Sequence, residues 1–181
     1  MPMLTLNTRI TTAATIDGEL VLPFAAREKS RQRASLASGE EVAVFTLRGT
    51  VLRDGDLLQG SDADGTTRVI RIIAAAEDTC RIVCDSAQGL LRCGFHLGNR
   101  HTPTQVGSDG AGCFLRIRRD PVLQEMLADL GARMTDECAA FEPESGAYSA
   151  GGHRHDGESG GHLLAPIPLR QKIHRPGDPP A

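Results

Sequence analysis

Histidine is the residue type in this chain best suited to chemistry, and His96 is the first candidate. A neutral imidazole is a good ligand for Ni, Cu and Zn ions, but one imidazole alone holds a divalent ion weakly. A two-fold axis between two copies places a residue opposite its own copy, so two His96 side chains could face each other. We therefore predict a metal site at His96 that two chains share.

Three further histidines near the C-terminus form the second candidate. His153, His155 and His162 lie close to Asp156 and Glu158. Histidines and carboxylates on a flexible chain are a composition that gathers metal ions, although an ordinary solvated tail can have it too. We predict that these three histidines are accessory metal ligands.

The element that must position His96 is an amphipathic helix over Ser86–Asn99. Apolar or small residues recur at positions 87, 90, 91, 94, 97 and 98, which is helical spacing. Asp85 or Ser86 can cap its start, and Pro103 follows its end. Its predicted core stripe is Leu90, Leu91 and Leu97. His96 falls off this stripe, on a surface shared with Gly89, Arg92, Cys93 and Arg100.

Three glycines, Gly89, Gly94 and Gly98, lie within this one helix. Each costs a helix roughly 1 kcal/mol relative to alanine. We therefore predict that another backbone approaches the helix closely, with Gly94 or Gly98 making room for the contact that joins the two His96 side chains.

Residues 76–148 are predicted to fold in the order βαββαβ. The second helix has Asp120 as its cap, Pro121 in its first turn and Gly131 as its terminator. This order is typical of a ferredoxin-like domain, in which two helices cover one face of an antiparallel sheet. The predicted strands are Cys80–Cys84, Thr102–Val106, Cys113–Arg118 and Arg133–Phe141, and the apolar set of the second helix is Val122, Leu123, Met126, Leu127 and Leu130.

Residues 1–75 are predicted to form a small all-β domain, a sandwich or a barrel-like module. Short runs of strand character alternate with turn signals at regular spacing. The predicted strands are Leu4–Leu6, Gly18–Leu22, Arg31–Leu36, Glu41–Phe45 and Val69–Ile73.

A basic row in this half of the chain has two interpretations. Arg27, Lys29, Arg31 and Arg33 alternate, so an extended chain would place all four on one face. They are either a solvated strand face that protects a sheet edge or a docking surface for an acidic protein partner.

Composition excludes several classes of protein. The formal net charge of −3 and pI of about 6.1 argue against binding to nucleic acid or to an anionic membrane. No apolar run reaches the ~18 residues of a membrane span, and no signal-peptide block is present at the N-terminus. An odd number of cysteines, five, fits a reducing compartment, so we predict a cytoplasmic protein. Residues 149–181 are predicted to be a disordered tail because they offer little apolar surface.

Catalysis is the third chemical possibility. Cys93 lies one turn before His96, and a histidine can activate a cysteine thiolate. The sequence contains no phosphate-binding glycine loop, no metalloprotease motif and no nucleophile elbow. We therefore predict a binding protein and not an enzyme.

The string His96–His101, together with Arg27–Arg31 and Phe141–Tyr148, resembles the UreE urease accessory protein family. The resemblance covers residues 20–148. It implies a homodimer formed through the ferredoxin-like domain, with Ni(II) as bound cargo. It also implies two partners for nickel delivery, the urease apoprotein complex and its GTPase accessory protein.

Two departures from the family pattern bear on the metal sites. Arg116–Asp120 contains no histidine where some members have peripheral metal ligands, and the tail is poor in histidine. We expect those peripheral sites and a high-capacity nickel store to be missing. The alternatives are a protein-interaction adaptor with incidental histidines, and a homologue that handles zinc or copper.

Overall fold

The structure is a computed structural model and describes residues 3–62 and 64–145 of the 181-residue chain. Across these ranges the chain forms two β-sheets. The helices found there are too short or too polar to cross a membrane.

The first sheet has six strands and builds its own core. Two of its strand pairs, β1 with β4 and β2 with β6, are parallel, and the other three are antiparallel. The amide of Ala37, which follows β3, donates to the carbonyl of Glu19 in β2 at 2.8 Å, so the sheet curls toward closure. This confirms the predicted all-β domain. The strands are β1 (Leu4–Ile10), β2 (Gly18–Leu22), β3 (Arg31–Ser35), β4 (Glu41–Phe45), β5 (Leu57–Ser61) and β6 (Thr67–Ala74), in the order β2-β6-β5-β1-β4-β3.

The second sheet is antiparallel and has the ferredoxin-like order. One buried cluster joins Cys80 and Ile82 of the sheet to Cys93 and Leu97 of one helix and Leu127 of the other. Both helices therefore pack on the same face, and the predicted fold is confirmed. The elements are β7 (Ala76–Val83), α2 (Ala87–Asn99), β8 (Gln105–Asp109), β9 (Gly112–Arg118), α3 (Pro121–Asp129) and β10 (Arg133–Ala140), with strand order β10-β7-β9-β8.

Strand β5 was not predicted because Gly60 interrupts its apolar pattern. The structure gives the reason for the glycine, since a Cβ at this position would lie 2.0 Å from the carbonyl oxygen of Thr5. A register shift in the β1–β5 pairing lies beside it, between Leu6 and Thr8. A close backbone approach of this kind is a common reason for glycine within a strand.

Two predicted details of the second sheet are wrong. Strand β8 begins at Gln105 and not at Thr102, because Thr102 donates its amide to Leu97 and so belongs to the end of α2. In α3, Val122 is 76% exposed and does not join the core stripe. Its neighbour Leu123 packs against the core, so Val122 points to the other side of the same turn.

The prediction that Arg27 belongs to an extended basic row is also wrong. A short helix, α1 (Phe24–Arg27), interrupts the chain, and Arg27 is 0% exposed. Its guanidinium donates to the carbonyls of Leu22 at 3.2 Å and Leu52 at 3.0 Å. Residues 141–145 supply further acceptors, so a residue expected on the surface is buried where the two sheets meet.

The segment Phe141–Ser145 is held against both halves of the fold. The Arg27 guanidinium donates to the Phe141 carbonyl at 2.5 Å and forms an ion pair with Glu142. Arg53 binds the same carboxylate at 3.0 Å. On the other side, the amide of Glu144 donates to the carbonyl of Thr104, just before β8, at 2.9 Å. This segment therefore links the first sheet to the second.

Candidate metal centre

Helix α2 has well-defined ends that fix the position of His96. The Ser86 hydroxyl accepts a hydrogen bond from the amide of Gly89 at 3.1 Å, as predicted for the N-cap. At the other end, the amides of His101 and Thr102 donate to the carbonyls of Gly98 and Leu97, at 2.9 and 3.1 Å. This pair of bonds is a Schellman motif, which satisfies carbonyls that a helix end leaves free.

The His96 side chain lies in the last turn of α2 and is partly buried. Its ring meets the edge of Phe95, with 5.5 Å between ring centroids and an interplanar angle of 83°. Within the described residues no group hydrogen-bonds to the imidazole, so both ring nitrogens are available to a ligand. The carbonyl end of a helix is electronegative, which favours a cation at this place.

The described residues of one copy do not form a metal site by themselves. Over residues 3–62 and 64–145, no group of three or more His, Cys, Asp or Glu side chains is arranged to hold an ion. His101 follows the helix end and is exposed, and no such group includes it. The predicted tail ligands His153, His155 and His162 lie outside the described residues.

The surface around His96 differs from the prediction in two residues. Cys93, expected on the same surface, is buried in the core, whereas Leu91, expected in the core, is 75% exposed. The stripe that packs against the sheet is therefore Leu90, Cys93 and Leu97. Because the prediction treated every leucine as core, it placed the stripe about one position away from its true line.

Two glycines of α2 lie on a different flank of the helix from His96. Residues two apart on a helix are about 200° apart around its axis, so Gly94 and Gly98 lie on the flank opposite His96. A Cβ at Gly98 would meet nothing within 4 Å, and one at Gly94 would reach only Leu115, at 3.7 Å. Both positions are therefore open in a single copy, and the close approach of a second copy at Gly94 or Gly98 stays a prediction.

An exposed apolar pair lies on the solvent side of α2, with one member, Phe95, against the His96 ring, and sequence reasoning missed it. Leu91 is 75% exposed and Phe95 is 64% exposed, and the two are one helical turn apart. Neighbouring exposed apolar side chains of this size often mark an interaction surface. The signal available in the sequence was Phe95 itself, a large apolar residue that belongs neither to the predicted core stripe nor to the observed one.

The Cys93 thiol does not have the environment of an enzyme nucleophile that attacks a substrate. It is 0% exposed, and burial, together with the neighbouring Cys84 thiol, raises its pKa to about 11. A buried thiol of raised pKa is largely protonated at neutral pH, and a substrate in solvent does not reach it. The Cys93–His96 pairing considered from the sequence therefore finds no support here.

The basic row loses Arg27 but keeps three exposed residues, with Lys29 before the edge strand β3 and two arginines on it. Arg31 and Arg33 are exposed on β3, and neither forms an ion pair with any side chain in the described ranges. They border a shallow depression whose floor includes Met3, Ala43 and Phe45. This surface retains the basic and apolar character of a docking site without Arg27.

Fold and site together define a class of two-domain protein. A curled β-sheet domain is joined to a ferredoxin-like domain, which presents a histidine beside an exposed apolar side chain. Family models agree with this division: "UreE urease accessory protein, N-terminal domain" matches residues 5–75, and the corresponding C-terminal domain model matches residues 77–164. The chain belongs to the UreE urease accessory protein family.

Individual relatives extend the similarity over nearly the whole chain. The urease accessory protein UreE of Nitrosospira multiformis is 59% identical over 183 residues, covering 99% of each chain. That of Janthinobacterium sp. (strain Marseille) is 61% identical over 176 residues, covering 97% of this chain and 98% of the relative. That of Alkalilimnicola ehrlichii is 48% identical over 146 residues, covering 81% and 85%.

Proposed function

We propose that the chain is a nickel-binding metallochaperone that delivers Ni(II) for assembly of the urease active site. The observation that carries the proposal is His96, an imidazole with no hydrogen-bond partner in the described part of the chain, presented in the last turn of α2. Relatives that are 59% and 61% identical are named urease accessory proteins, and imidazole is a suitable ligand for nickel. The nickel ion is cargo in this proposal.

The site requires two copies of the chain. The described residues of one copy contain no group of three or more possible ligands, whereas a symmetric pair would bring two His96 imidazoles together. Leu91 and Phe95 would supply apolar area beside the axis, which gives the two copies a reason to associate. We assign metal binding and dimerisation to residues 76–148.

Transfer needs no covalent chemistry and no catalytic group. A site made of few ligands between two subunits can lose its ion by stepwise ligand exchange. An acceptor site with more ligands binds the ion more tightly and so takes it over. We place this exchange in the cytoplasm, where five free cysteines suit a reducing environment. The recipients would be the urease apoprotein complex and its GTPase accessory protein.

The calorimetric titration of Ni(II) into His96→Ala protein tests the proposal. We expect the wild-type dimer to bind one ion tightly at this site and the variant to lose it, while the fold is kept because His96 is not a core residue. His101→Ala is the matched control and should retain the ion. Affinity should fall as pH decreases, because ligation requires neutral imidazole. Unchanged nickel stoichiometry and affinity in His96→Ala protein would disprove the assignment.

The C-terminal tail is assigned accessory ligands in the same scheme. His153, His155 and His162 are the candidates, and a chain that ends at Ala150 removes all three. We expect this truncation to lower the number of ions bound or their affinity without removing the His96 ion. Identical titration curves for the two forms would leave the tail without a role in metal binding.

Residues 1–75 are assigned to partner binding through Arg31 and Arg33. The double variant Arg31→Glu/Arg33→Glu should weaken capture of the urease complex at least several-fold, because it replaces two unpaired positive charges with negative ones. Arg118→Glu, which reverses an exposed arginine on the other sheet, is the control. The nickel affinity of the double variant should not change. Equal capture by wild type and double variant would favour a merely solvated strand face.

The main alternative concerns the identity of the metal. Sites built from nitrogen ligands generally bind Cu(II) more tightly than Ni(II), so a zinc- or copper-handling role has a chemical basis. Titrations with all three ions on the same protein, compared with urease activation by each loaded form, separate these roles. A chain that binds partners but loads no ion would instead be an interaction adaptor.

A further inference from the structure

Two cysteine thiols touch each other beneath the helix that carries His96. Cys84 immediately follows β7, and Cys93 lies in the middle of α2. Their Sγ atoms are 3.7 Å apart, and both cysteines are free. The proposed metal site uses neither of them.

Gly89 makes room for this contact. A Cβ at position 89 would lie 3.2 Å from the Cβ of Cys84 and 3.6 Å from its Sγ. A side chain there would crowd Cys84 and push it a few tenths of an ångström away from the helix. The glycine in the first turn of α2, which costs the helix stability, therefore allows the Cys84 thiol to lie beside Cys93.

The two thiols differ in their access to solvent. Cys84 is partly exposed and lines a small surface depression with Gln88 and Arg92. Cys93 lies behind it and is 0% exposed. A small oxidant would therefore meet Cys84 first, with Cys93 in contact as the second thiol. Redox-active cysteines often have this arrangement of an accessible thiol and a resolving thiol.

We propose that Cys84 and Cys93 are a redox site, in which peroxide converts the two thiols reversibly into an intramolecular disulfide. The sulfur of Cys84 attacks one oxygen of hydrogen peroxide and becomes a sulfenic acid, and one water leaves. The sulfur of Cys93 then attacks the sulfenic sulfur, forms the S–S bond and releases a second water. Two thiols thus give two electrons and two protons to one peroxide. A low-molecular-weight thiol reverses the reaction by exchange.

Closing the bond would tie the end of β7 to α2. The sulfur atoms must move from 3.7 Å to about 2.05 Å apart, and Cys84 is the free partner because it lies outside helix and strand. The oxidised protein should therefore keep its helix, and its melting temperature should rise because the unfolded chain is cross-linked.

Peptide mapping tests the proposal directly, because trypsin places each cysteine on a separate peptide. Cleavage after Arg81, Arg92 and Arg100 separates Cys84, in residues 82–92, from Cys93, in residues 93–100. We expect metal-stripped full-length protein treated with hydrogen peroxide to yield these two peptides joined, with the mass of two hydrogens lost. Dithiothreitol should restore both free peptides.

Two variants make the result specific. Cys84→Ser should abolish the cross-link and the rise in melting temperature, and it should fold normally because Cys84 is partly exposed. Cys113→Ser removes an exposed cysteine on β9 and should leave the cross-link intact. If peroxide oxidises Cys113 and Cys138 while residues 82–92 and 93–100 remain unlinked, the proposal is wrong. A dominant cross-link between any other pair of peptides would also overturn it.

Discussion

His101 has the one left-handed backbone conformation outside glycine among the described residues, with a φ of 53°. It is the residue after the C-cap of α2, and its amide donates to the carbonyl of Gly98 at 2.9 Å. Glycine is the usual residue at this place because a Cβ is strained there. His101 therefore contributes to the helix end through its backbone amide.

Replacement of His101 by glycine should stabilise the protein. Relief of the left-handed strain, about 1–2 kcal/mol, exceeds the extra freedom that glycine gives the unfolded chain, so the net gain should be roughly 0.5–1 kcal/mol. Urea denaturation measures it as a higher midpoint. His101→Ala keeps a Cβ and should show no such gain. A glycine variant no more stable than the alanine variant would contradict this account.

Helix α2 presents four different surfaces at the scale of one element. Its buried stripe contains Cys93 and Leu97, and His96 lies on one flank. Gly94 and Gly98 lie on the opposite flank, and Leu91 and Phe95 occupy the exposed crest between the flanks. The solvent-facing side of a helix that packs only within its own chain is usually polar, so an exposed leucine and phenylalanine are unusual there.

The double variant Leu91→Gln/Phe95→Gln should dissociate the proposed dimer. Burial of a leucine or phenylalanine side chain contributes about 1.5–3 kcal/mol, so losing two should weaken association at least 100-fold. Sedimentation over a range of concentrations measures the change. The folding of each single chain should be unaffected because both side chains are exposed in it.

A control for this variant exists on the first sheet. Leu47 is 83% exposed, so Leu47→Gln removes apolar surface of the same kind far from α2. It should leave self-association unchanged. Equal association of all the variants would show that the crest of α2 is not the contact between copies.

At the scale of the whole molecule, Glu142 connects the two sheets. Its carboxylate accepts from the buried Arg27 and, at 3.0 Å, from Arg53, and it also accepts from the amide of Asp54 at 3.1 Å. Phe141 packs edge-on against Phe24, with 5.6 Å between ring centroids. Polar and apolar contacts thus hold the proposed partner-binding half and the His96 half in one arrangement.

Glu142→Gln should loosen this junction. An amide leaves the buried Arg27 charge without its counter-ion, and breaking such a pair costs about 3 kcal/mol when one partner is fully buried. We expect a lower unfolding midpoint and faster hydrogen exchange at the amides of residues 141–145. Glu144→Gln changes an exposed carboxylate and is the control. Equal exchange rates in both variants would show that Glu142 does not hold the junction.

Local signals in the sequence were enough to predict the order of elements in the second sheet and the ends of its helices. Ser86 and Asp120 cap helices in the structure as predicted, and Gly131 takes a φ of 82° after α3. These features depend on contacts between residues a few positions apart, so the sequence alone determines them. The position of His96 off the core stripe followed from helical spacing in the same way.

Only the tertiary structure decided which side of each element is covered. Arg27 is buried because acceptors at residues 22, 52, 141 and 142 surround it, and three of these are distant in the chain. Leu91 is exposed and Cys93 is buried because the sheet meets α2 along a line that helical spacing fixes only to within one residue. Burial depends on atoms that come together from distant parts of the chain, and the local sequence pattern does not determine where those atoms lie.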